Sequence, residues 1–123
     1  MPELVSAPVR VPVPGGKLID EYVGRASTGT GALSVAHMRS PAGWEEPAQT
    51  PEFDEVTLVL SGGVRVEHDG GVLDVGPGQA VLTRAGKRVR YTTPDGADYV
   101  AVCLPAFGSD TVHREDGQPG QDR

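Results

Sequence analysis

Few side chains in this sequence titrate near neutral pH. There are three histidines, His37, His68 and His113, and a single cysteine, Cys103. Because histidine exchanges a proton between about pH 5 and pH 8, His37 is a candidate acid–base residue, with a packed or exposed structural histidine as the alternative. Cys103 lies in an apolar run without basic neighbours in the sequence, which favours an inert buried thiol.

Other polar and aromatic side chains are candidates for ligand binding. Arg39 can bind a carboxylate through two parallel hydrogen bonds, although an exposed surface position is the alternative. Trp44, the only tryptophan, can stack on a planar ligand at a pocket rim, or pack in the core or at a dimer contact. Tyr91 and Tyr99 offer hydroxyl groups, with packing at the core edge as the alternative. Glu46, which follows another glutamate, is interpreted as a solvated loop residue or as a second catalytic acid.

Short strands must position these side chains. Eight short runs rich in apolar, β-branched or aromatic residues are predicted strands, with clear alternation of polarity in residues 64–68, and turns rich in glycine, proline and serine separate them. The runs cover residues 17–23, 32–39, 55–60, 64–68, 72–75, 80–83, 87–92 and 99–104. No stretch shows a helical period with caps, so the pattern predicts an all-β fold, a sandwich or a barrel.

The chain length and the polarity of its ends predict one domain with two flanking segments. A length of 123 residues fits a single domain, and 17 glycines and 11 prolines suit many tight turns. Residues 1–16 contain four prolines and little periodicity, which predicts an extended N-terminal arm. Residues 17–107 form the predicted barrel, and the polar residues 108–123 are predicted to be a disordered tail.

Charge and composition argue against several classes of partner. A net charge of −6 repels phosphate backbones and anionic lipid headgroups, so we expect neither a nucleic-acid partner nor a membrane. The apolar stretches are short, and the N-terminus lacks the basic-then-apolar layout of a signal peptide. A single cysteine allows no internal disulfide. These features favour a cytoplasmic protein.

Two motifs in the middle of the chain resemble those of the cupin superfamily. Glu55 is followed by six residues and then Gly62, as in the second half of the first cupin motif. The segment Gly71–Gly78 contains a glycine, five residues and Pro-Gly, with a later glycine turn at Gly86, as in the second motif. The resemblance covers about residues 32–105 and implies a single cupin-type barrel, also called a jelly roll or double-stranded β-helix.

The resemblance also implies where a metal would bind, and here it breaks. Cupins usually bind a divalent metal through two histidines and a glutamate of the first motif and one histidine of the second. In this sequence the histidine positions fall on Gln49, Pro51 and Val89, and only Glu55 remains. Proline and valine have no donor atom, so we expect no metal and no cofactor. A substitute set is short of nitrogen ligands: His37, Glu46 and Glu55.

The sequence around Glu55 is similar to the cupin of bacterial ethanolamine-utilisation operons. The shared features are Phe53-Asp54-Glu55 before the following strand and a tryptophan a few residues upstream. That branch also lacks the histidines. The likeness therefore supports a metal-free cupin more than it supports a role in ethanolamine breakdown.

Strand alternation predicts which residues face the interior of the barrel. If Glu55 points inward, as in the family, then Thr57 and Val59 share its face, while Val56, Leu58 and Leu60 point outward. By the same rule Lys87, Val89 and Tyr91 point inward if no bulge intervenes. An apolar surrounding would raise the pKa of Glu55 towards the range useful for proton transfer. The alternative is a structural carboxylate held by a neighbour such as Tyr91, Arg39 or Lys87.

These expectations lead to two hypotheses of function. The first is a metal-independent lyase, isomerase or cyclase that acts on a small organic acid, carbonyl compound or polyketide-like substrate. The catalytic candidates are Glu55, His37 and Glu46, and the substrate-binding candidates are Trp44, Arg39, Thr57, Tyr91 and Tyr99. The second is a non-catalytic module that binds a small metabolite or a partner protein. We also predict a homodimer in which residues 2–16 cover an exposed sheet edge of the other copy.

Overall fold

A computed structural model describes residues 2–115. These residues form ten β-strands and no helix. The strands are β1 (Val9–Val11), β2 (Leu18–Val23), β3 (Ser34–Ser40), β4 (Trp44–Glu45), β5 (Asp54–Gly62), β6 (Val64–His68), β7 (Gly71–Val75), β8 (Ala80–Thr83), β9 (Val89–Thr93) and β10 (Ala97–Leu104). The all-β prediction is therefore confirmed. All eight predicted strands are present, with ends within two residues of the predicted ones. The two that sequence patterns missed, β1 and β4, are only three and two residues long.

The strands form two antiparallel sheets that enclose one core. The larger sheet has the order β1-β2-β3-β10-β5-β8, and the smaller has the order β4-β9-β6-β7. Consecutive strands often lie in different sheets, as in a jelly-roll barrel. The inward-facing apolar residues include Ile19, Ala36, Val59, Val64, Val66, Val81 and Val89. Burying a valine or isoleucine side chain contributes about 1.5–3 kcal/mol, so this core stabilises the contact between the sheets.

Alternation along β5 follows the prediction. Thr57 and Val59 are buried, at 1% and 0% exposure, whereas Leu58 and Leu60 are exposed on the outer face. The prediction for Lys87 is wrong, because this exposed residue precedes β9 and does not point inward. The Lys87 N–H donates to the Arg84 carbonyl oxygen at 3.3 Å, which closes a turn. Strand alternation therefore starts only at the first residue of β9.

The part of the predicted disordered tail that the structure describes, residues 108–115, packs against the barrel. Val112 is buried beside Phe53 and Cys103. Three backbone hydrogen bonds join the segment to the loop before β5: Thr50 N to His113 O, Glu52 N to Thr111 O, and Glu115 N to Ala48 O. The prediction of disorder is wrong for residues 108–115. Although the segment is mostly polar, its one buried apolar residue, Val112, and its backbone hydrogen bonds hold it against the barrel. Residues 116–123 of that prediction lie outside the described part.

The predicted N-terminal arm contributes a strand to the barrel. β1 pairs with β2 of the same chain, with Val9 opposite Glu21 and Val11 opposite Ile19. Residues 9–11 therefore pair with a strand of their own sheet, and a contribution of residues 2–16 to a homodimer stays a prediction. No helix long and apolar enough to span a membrane occurs among residues 2–115.

Candidate functional site

The interior of the barrel contains a small cavity lined by polar, charged and aromatic side chains. Its volume is about 30 Å³, above the roughly 10–15 Å³ that one water molecule needs. The lining residues come from both sheets and from the C-terminal segment: Lys17, Met38, Trp44, Glu46, Gln49, Glu55, Thr57, Tyr91, Tyr99, Cys103, Phe107 and Arg114. Six predicted site residues thus share one cavity: Trp44, Glu46, Glu55, Thr57, Tyr91 and Tyr99.

β5 positions the carboxylate and one hydroxyl of the cavity. Glu55 is half-buried and lies between Thr83 on β8 and Cys103 on β10 in the strand register. Two residues further along, Thr57 presents its side chain to the same cavity. Cys103 is buried as predicted, at 1% exposure, but it lies beside Glu55 in the wall of the cavity.

Both tyrosine hydroxyls of the cavity have a partner on a neighbouring strand. The Tyr91 hydroxyl lies 2.8 Å from Thr83 Oγ1, and the Tyr99 hydroxyl lies 3.0 Å from Ser40 Oγ. Burial, followed by the negative charge of Glu55, raises the pKa of Tyr91 well above its ordinary value. Tyr91 is therefore a neutral phenol at physiological pH and can serve as a hydrogen-bond donor.

Lys17 is a lining residue that the sequence analysis did not select. Its ammonium group lies 4.0 Å from the centre of the Trp44 ring and 5.7 Å from that of Tyr99. A desolvated cation–π contact is worth up to about 2 kcal/mol, so the rings stabilise this buried charge. The signal was present in the alternation, since Lys17 lies two and four residues before the buried Ile19 and Glu21.

An ion pair from the C-terminal segment closes one side of the cavity. Arg114 Nη2 lies 3.6 Å from Glu46 Oε2, and both side chains are only 8% exposed. Glu46 is therefore neither a solvated loop residue nor isolated in the cavity. Arg114 was missed because the tail was expected to be disordered. The isolated β-bridge between Gln49 and Arg114 holds it here.

Two buried side-chain oxygens of the lining residues have no hydrogen-bond partner among the described residues. They are the side-chain oxygens Gln49 Oε1 and Thr57 Oγ1. Gln49 is 3% exposed and Thr57 is 1% exposed. Leaving a buried polar group unsatisfied costs about 1–3 kcal/mol. Such atoms in a cavity wall are typical of a site that binds water or a polar ligand.

Two predicted site residues lie outside the cavity. His37 and Arg39 lie on the outer face of β3, because their neighbours Ala36 and Met38 occupy the inner face. His37 Nε2 pairs with Asp98 Oδ1, and Arg39 Nε lies 3.6 Å from Asp98 Oδ2. The structure therefore places His37 and Arg39 outside the lumen, away from the other predicted site residues, and their roles stay predictions. Strand periodicity fixed which residues share a face, but not which face is inside.

The residues present do not fit the metal that cupins usually bind. The positions of three family ligands carry Gln49, Pro51 and Val89, which provide no imidazole. Among residues 2–115, no group of three or more His, Cys, Asp or Glu side chains could hold a metal ion. The nearby charged groups form a different arrangement, in which Arg114 pairs with Glu46. The chemistry proposed for this cavity does not involve a metal.

Solved structures with this architecture include cupins. The chain superposes on an RmlC-like cupin from Shewanella frigidimarina NCIMB 400 with a TM-score of 0.70 and 15% identity, over 85% of this chain and 89% of the other. An ethanolamine utilization protein EutQ from Salmonella typhimurium LT2 gives a TM-score of 0.59 and 20% identity, over 72% and 69%. Bacillus subtilis oxalate decarboxylase gives 0.73 and 19%, over 89% and 31%. These similarities confirm the cupin fold.

A longer relative has a segment with higher sequence identity to this chain than these solved structures have. Endoribonuclease YbeY of Myxococcus xanthus (strain DK1622) is 45% identical over 112 residues, which are 89% of this chain and 38% of YbeY. The chain therefore spans little more than a third of that relative. The model of the AraC-binding-like domain family matches residues 8–121. The protein is thus a cupin-fold member of the AraC-binding-like domain family.

Proposed function

We propose that the barrel binds a small polar organic molecule in its lumen without a metal. The observation that carries this proposal is the pair of unsatisfied buried oxygens, Gln49 Oε1 and Thr57 Oγ1. A bound molecule that forms hydrogen bonds with both would offset their desolvation. The surrounding aromatic rings of Trp44, Tyr91 and Tyr99 supply the apolar wall that ligand sites commonly have.

A pair of threonine substitutions tests this proposal. Thr57→Val removes the unsatisfied hydroxyl, so we expect it to raise the stability of the unliganded protein and to weaken binding of small polar ligands. Thr93→Val is the matched control, because Thr93 Oγ1 already donates to the Pro41 carbonyl oxygen at 2.9 Å. That change should lower stability. Urea denaturation and ligand-observed NMR with small polar molecules give the two readouts, and a destabilising Thr57→Val without any effect on binding contradicts the proposal.

A second candidate function is proton transfer in a lyase, isomerase or cyclase. The observation that favours it is the proximity of Glu55 to Tyr91, whose pKa the negative charge of Glu55 helps to raise. Glu55 can accept a proton from a carbon next to a carbonyl group, while the neutral Tyr91 phenol donates a hydrogen bond to the carbonyl oxygen. With His37 outside the lumen, Glu55 is the acid–base group of this scheme.

The ligand-binding barrel can also act without catalysis, as a sensor or accessory domain. Its support is the 45% identical segment that makes up only 38% of Myxococcus xanthus YbeY. A domain that forms part of a longer protein can bind a metabolite and thereby influence the rest of that protein. The endoribonuclease activity belongs to that relative as a whole, and the net charge of −6 argues against direct RNA binding by this chain.

A cytoplasmic location is consistent with the single, buried cysteine.

We also propose a homodimer, to which the outer face of the larger sheet contributes. Aligned residues of four adjacent strands are apolar on this face: Val35, Val102, Val56 and Leu82. Beside them, Leu58 and Leu60 are exposed at 40% and 50%. Contiguous apolar surface of this kind marks interaction sites in soluble proteins. A second copy can cover it with the same face, as a twofold interface requires.

A further inference from the structure

We infer that the ligand of the lumen is a small hydroxycarboxylate and that Lys17 binds its carboxylate group. This inference rests on the proposed ligand site and adds the chemical class of the ligand. Lys17 is 6% exposed and lines the same cavity as the two unsatisfied oxygens.

The ammonium group of Lys17 lies against two aromatic rings. The rings of Trp44 and Tyr99 lie within 4.0 Å and 5.7 Å of Nζ. Neither ring accepts a directional hydrogen bond as an oxygen does, yet an ammonium group carries three donors. No ion pair of Lys17 occurs among residues 2–115. An acceptor oxygen with negative charge is the partner that satisfies both the charge and the donors.

With Lys17 counted, the lining of the cavity carries no net formal charge. Two of the lining residues are carboxylates, Glu46 and Glu55, and two are cations, Lys17 and Arg114. Their formal charges cancel. Arg114 faces Glu46 at 3.6 Å, so the acidic group nearest the C-terminal segment is already compensated. A carboxylate beside Lys17 therefore enters a cavity without excess negative charge.

The unsatisfied oxygens indicate a donor on the same ligand. Gln49 Oε1 accepts hydrogen bonds but cannot donate them, and Thr57 Oγ1 can do either. A hydroxyl group donates to one and accepts from the other. A carboxylate for Lys17 and a hydroxyl for Gln49 and Thr57 together describe a hydroxycarboxylate.

The size of the cavity limits this ligand to the smallest members of the class. A volume of about 30 Å³ lies well below the roughly 300–1,000 Å³ of sites for larger organic ligands. Glycolate, with two carbon atoms, is therefore the probe of choice. Acetate lacks its hydroxyl group, and glycolamide lacks its charge.

Calorimetric or NMR titration with these three probes tests the inference. We expect glycolate to bind more tightly than both acetate and glycolamide. Lys17→Met keeps a long apolar chain against Trp44 but removes the charge, so it should lower glycolate affinity roughly ten- to hundredfold and leave glycolamide affinity unchanged. The matched control is Lys87→Met, because Lys87 is the other lysine of the chain and is exposed outside the lumen.

The outcomes separate this inference from the proposed function. If glycolamide binds as tightly as glycolate, or if Lys17→Met binds glycolate like the wild type, Lys17 does not select a carboxylate, although a lumen ligand remains. If none of the probes binds and Thr57→Val has no effect on any small polar ligand, the proposed ligand site itself is wrong.

A measurement on the unmodified sequence covers the case in which Lys17→Met does not fold. Lysine labelled with ¹³C at the ε position gives one signal for Lys17 and one for Lys87. Glycolate should shift the Lys17 signal and leave the Lys87 signal in place. Equal shifts of both, or no shift at saturating glycolate, contradict the inference.

Discussion

Gln49 and Val89 exchange two backbone hydrogen bonds, from Gln49 N to Val89 O at 2.8 Å and from Val89 N to Gln49 O at 2.9 Å. By resemblance, these positions carry two metal-binding histidines in other cupins. The backbone thus still brings both positions together beside the lumen, while the side chains no longer supply nitrogen ligands. The difference from the family's metal-binding pattern therefore lies in residue identity at these positions and not in the architecture.

Metal content tests this interpretation directly. Protein purified without added metal should contain well under one equivalent of iron, manganese, nickel, copper or zinc by elemental analysis, because the site lacks the usual three ligands. Introducing Gln49→His and Val89→His together should create affinity for a divalent metal beside Glu55. Stoichiometric metal in the wild type, lost together with ligand binding on chelation, would overturn the metal-free proposal.

Substitution of Glu55 tests proton transfer. Glu55→Gln preserves size, so the fold and ligand affinity should change little, while any catalysed exchange of carbon-bound protons should fall by about 10²–10⁴. Deuterium incorporation into small carbonyl compounds in D₂O, followed by NMR, measures this rate. Glu45→Gln is the control, because the Glu45 side chain is 63% exposed outside the lumen. Equal exchange rates for the wild type and Glu55→Gln would remove Glu55 as the catalyst.

Tyr91 should make stability fall in alkaline solution. Its pKa is raised in the folded state, mainly by burial and then by Glu55. Above about pH 10 the unfolded chain therefore loses the phenolic proton first, and the free energy of unfolding decreases as pH rises. Tyr91→Phe removes this contribution, so its stability should depend less on pH between about 10 and 12. At neutral pH the variant should lose about 0.5–1.5 kcal/mol through the missing Thr83 hydrogen bond.

Urea denaturation of both proteins at pH 8 and pH 11 provides the comparison. The difference between the two pH values should be smaller for Tyr91→Phe than for the wild type. The same pH dependence in both proteins would show that Tyr91 does not titrate differently in the folded and unfolded states.

The pair formed by Arg114 and Glu46 should contribute to stability. Both side chains are 8% exposed, and removing one member of a buried pair leaves the other charge uncompensated, at a cost of about 3–5 kcal/mol. Arg114→Ala should therefore lower the free energy of unfolding clearly. Combining it with Glu46→Gln should recover part of the loss, since no buried charge then lacks a partner.

A double-mutant cycle measured by thermal unfolding quantifies this coupling. Arg84→Ala serves as the control, because its side chain is 68% exposed. If Arg114→Ala is as stable as Arg84→Ala, the ion pair of Arg114 with Glu46 contributes nothing to stability.

Charge on the outer face of the larger sheet should disrupt the homodimer. Leu58→Asp places a carboxylate in the centre of the exposed apolar face, so we expect a shift from dimer to monomer in light scattering at micromolar concentration. Val72→Asp is the matched control, since Val72 is 59% exposed on the smaller sheet. A monomeric wild-type protein, or a Leu58→Asp variant that stays dimeric, contradicts the proposed interface.

The sequence by itself determined the strands and part of the site. Period-two alternation and glycine turns gave all eight longer strands, because these signals are local. The resemblance around Glu55 then fixed one inward-facing residue. Alternation along the same strand then predicted that Thr57 faces inward, and the second motif predicted the same for Tyr91 on β9.

Only the tertiary structure decided the remaining side chains of the lumen. On β3, His37 shares its face with the apolar Val35 and the charged Arg39, so periodicity alone did not decide that His37 lies outside, where it pairs with Asp98 on β10. Lys17 and Arg114 come from the two ends of the described chain and reach the cavity through contacts with Trp44 and Glu46. Such pairings join residues far apart in the sequence. They depend on how the sheets and the terminal segments pack, and no local pattern encodes them.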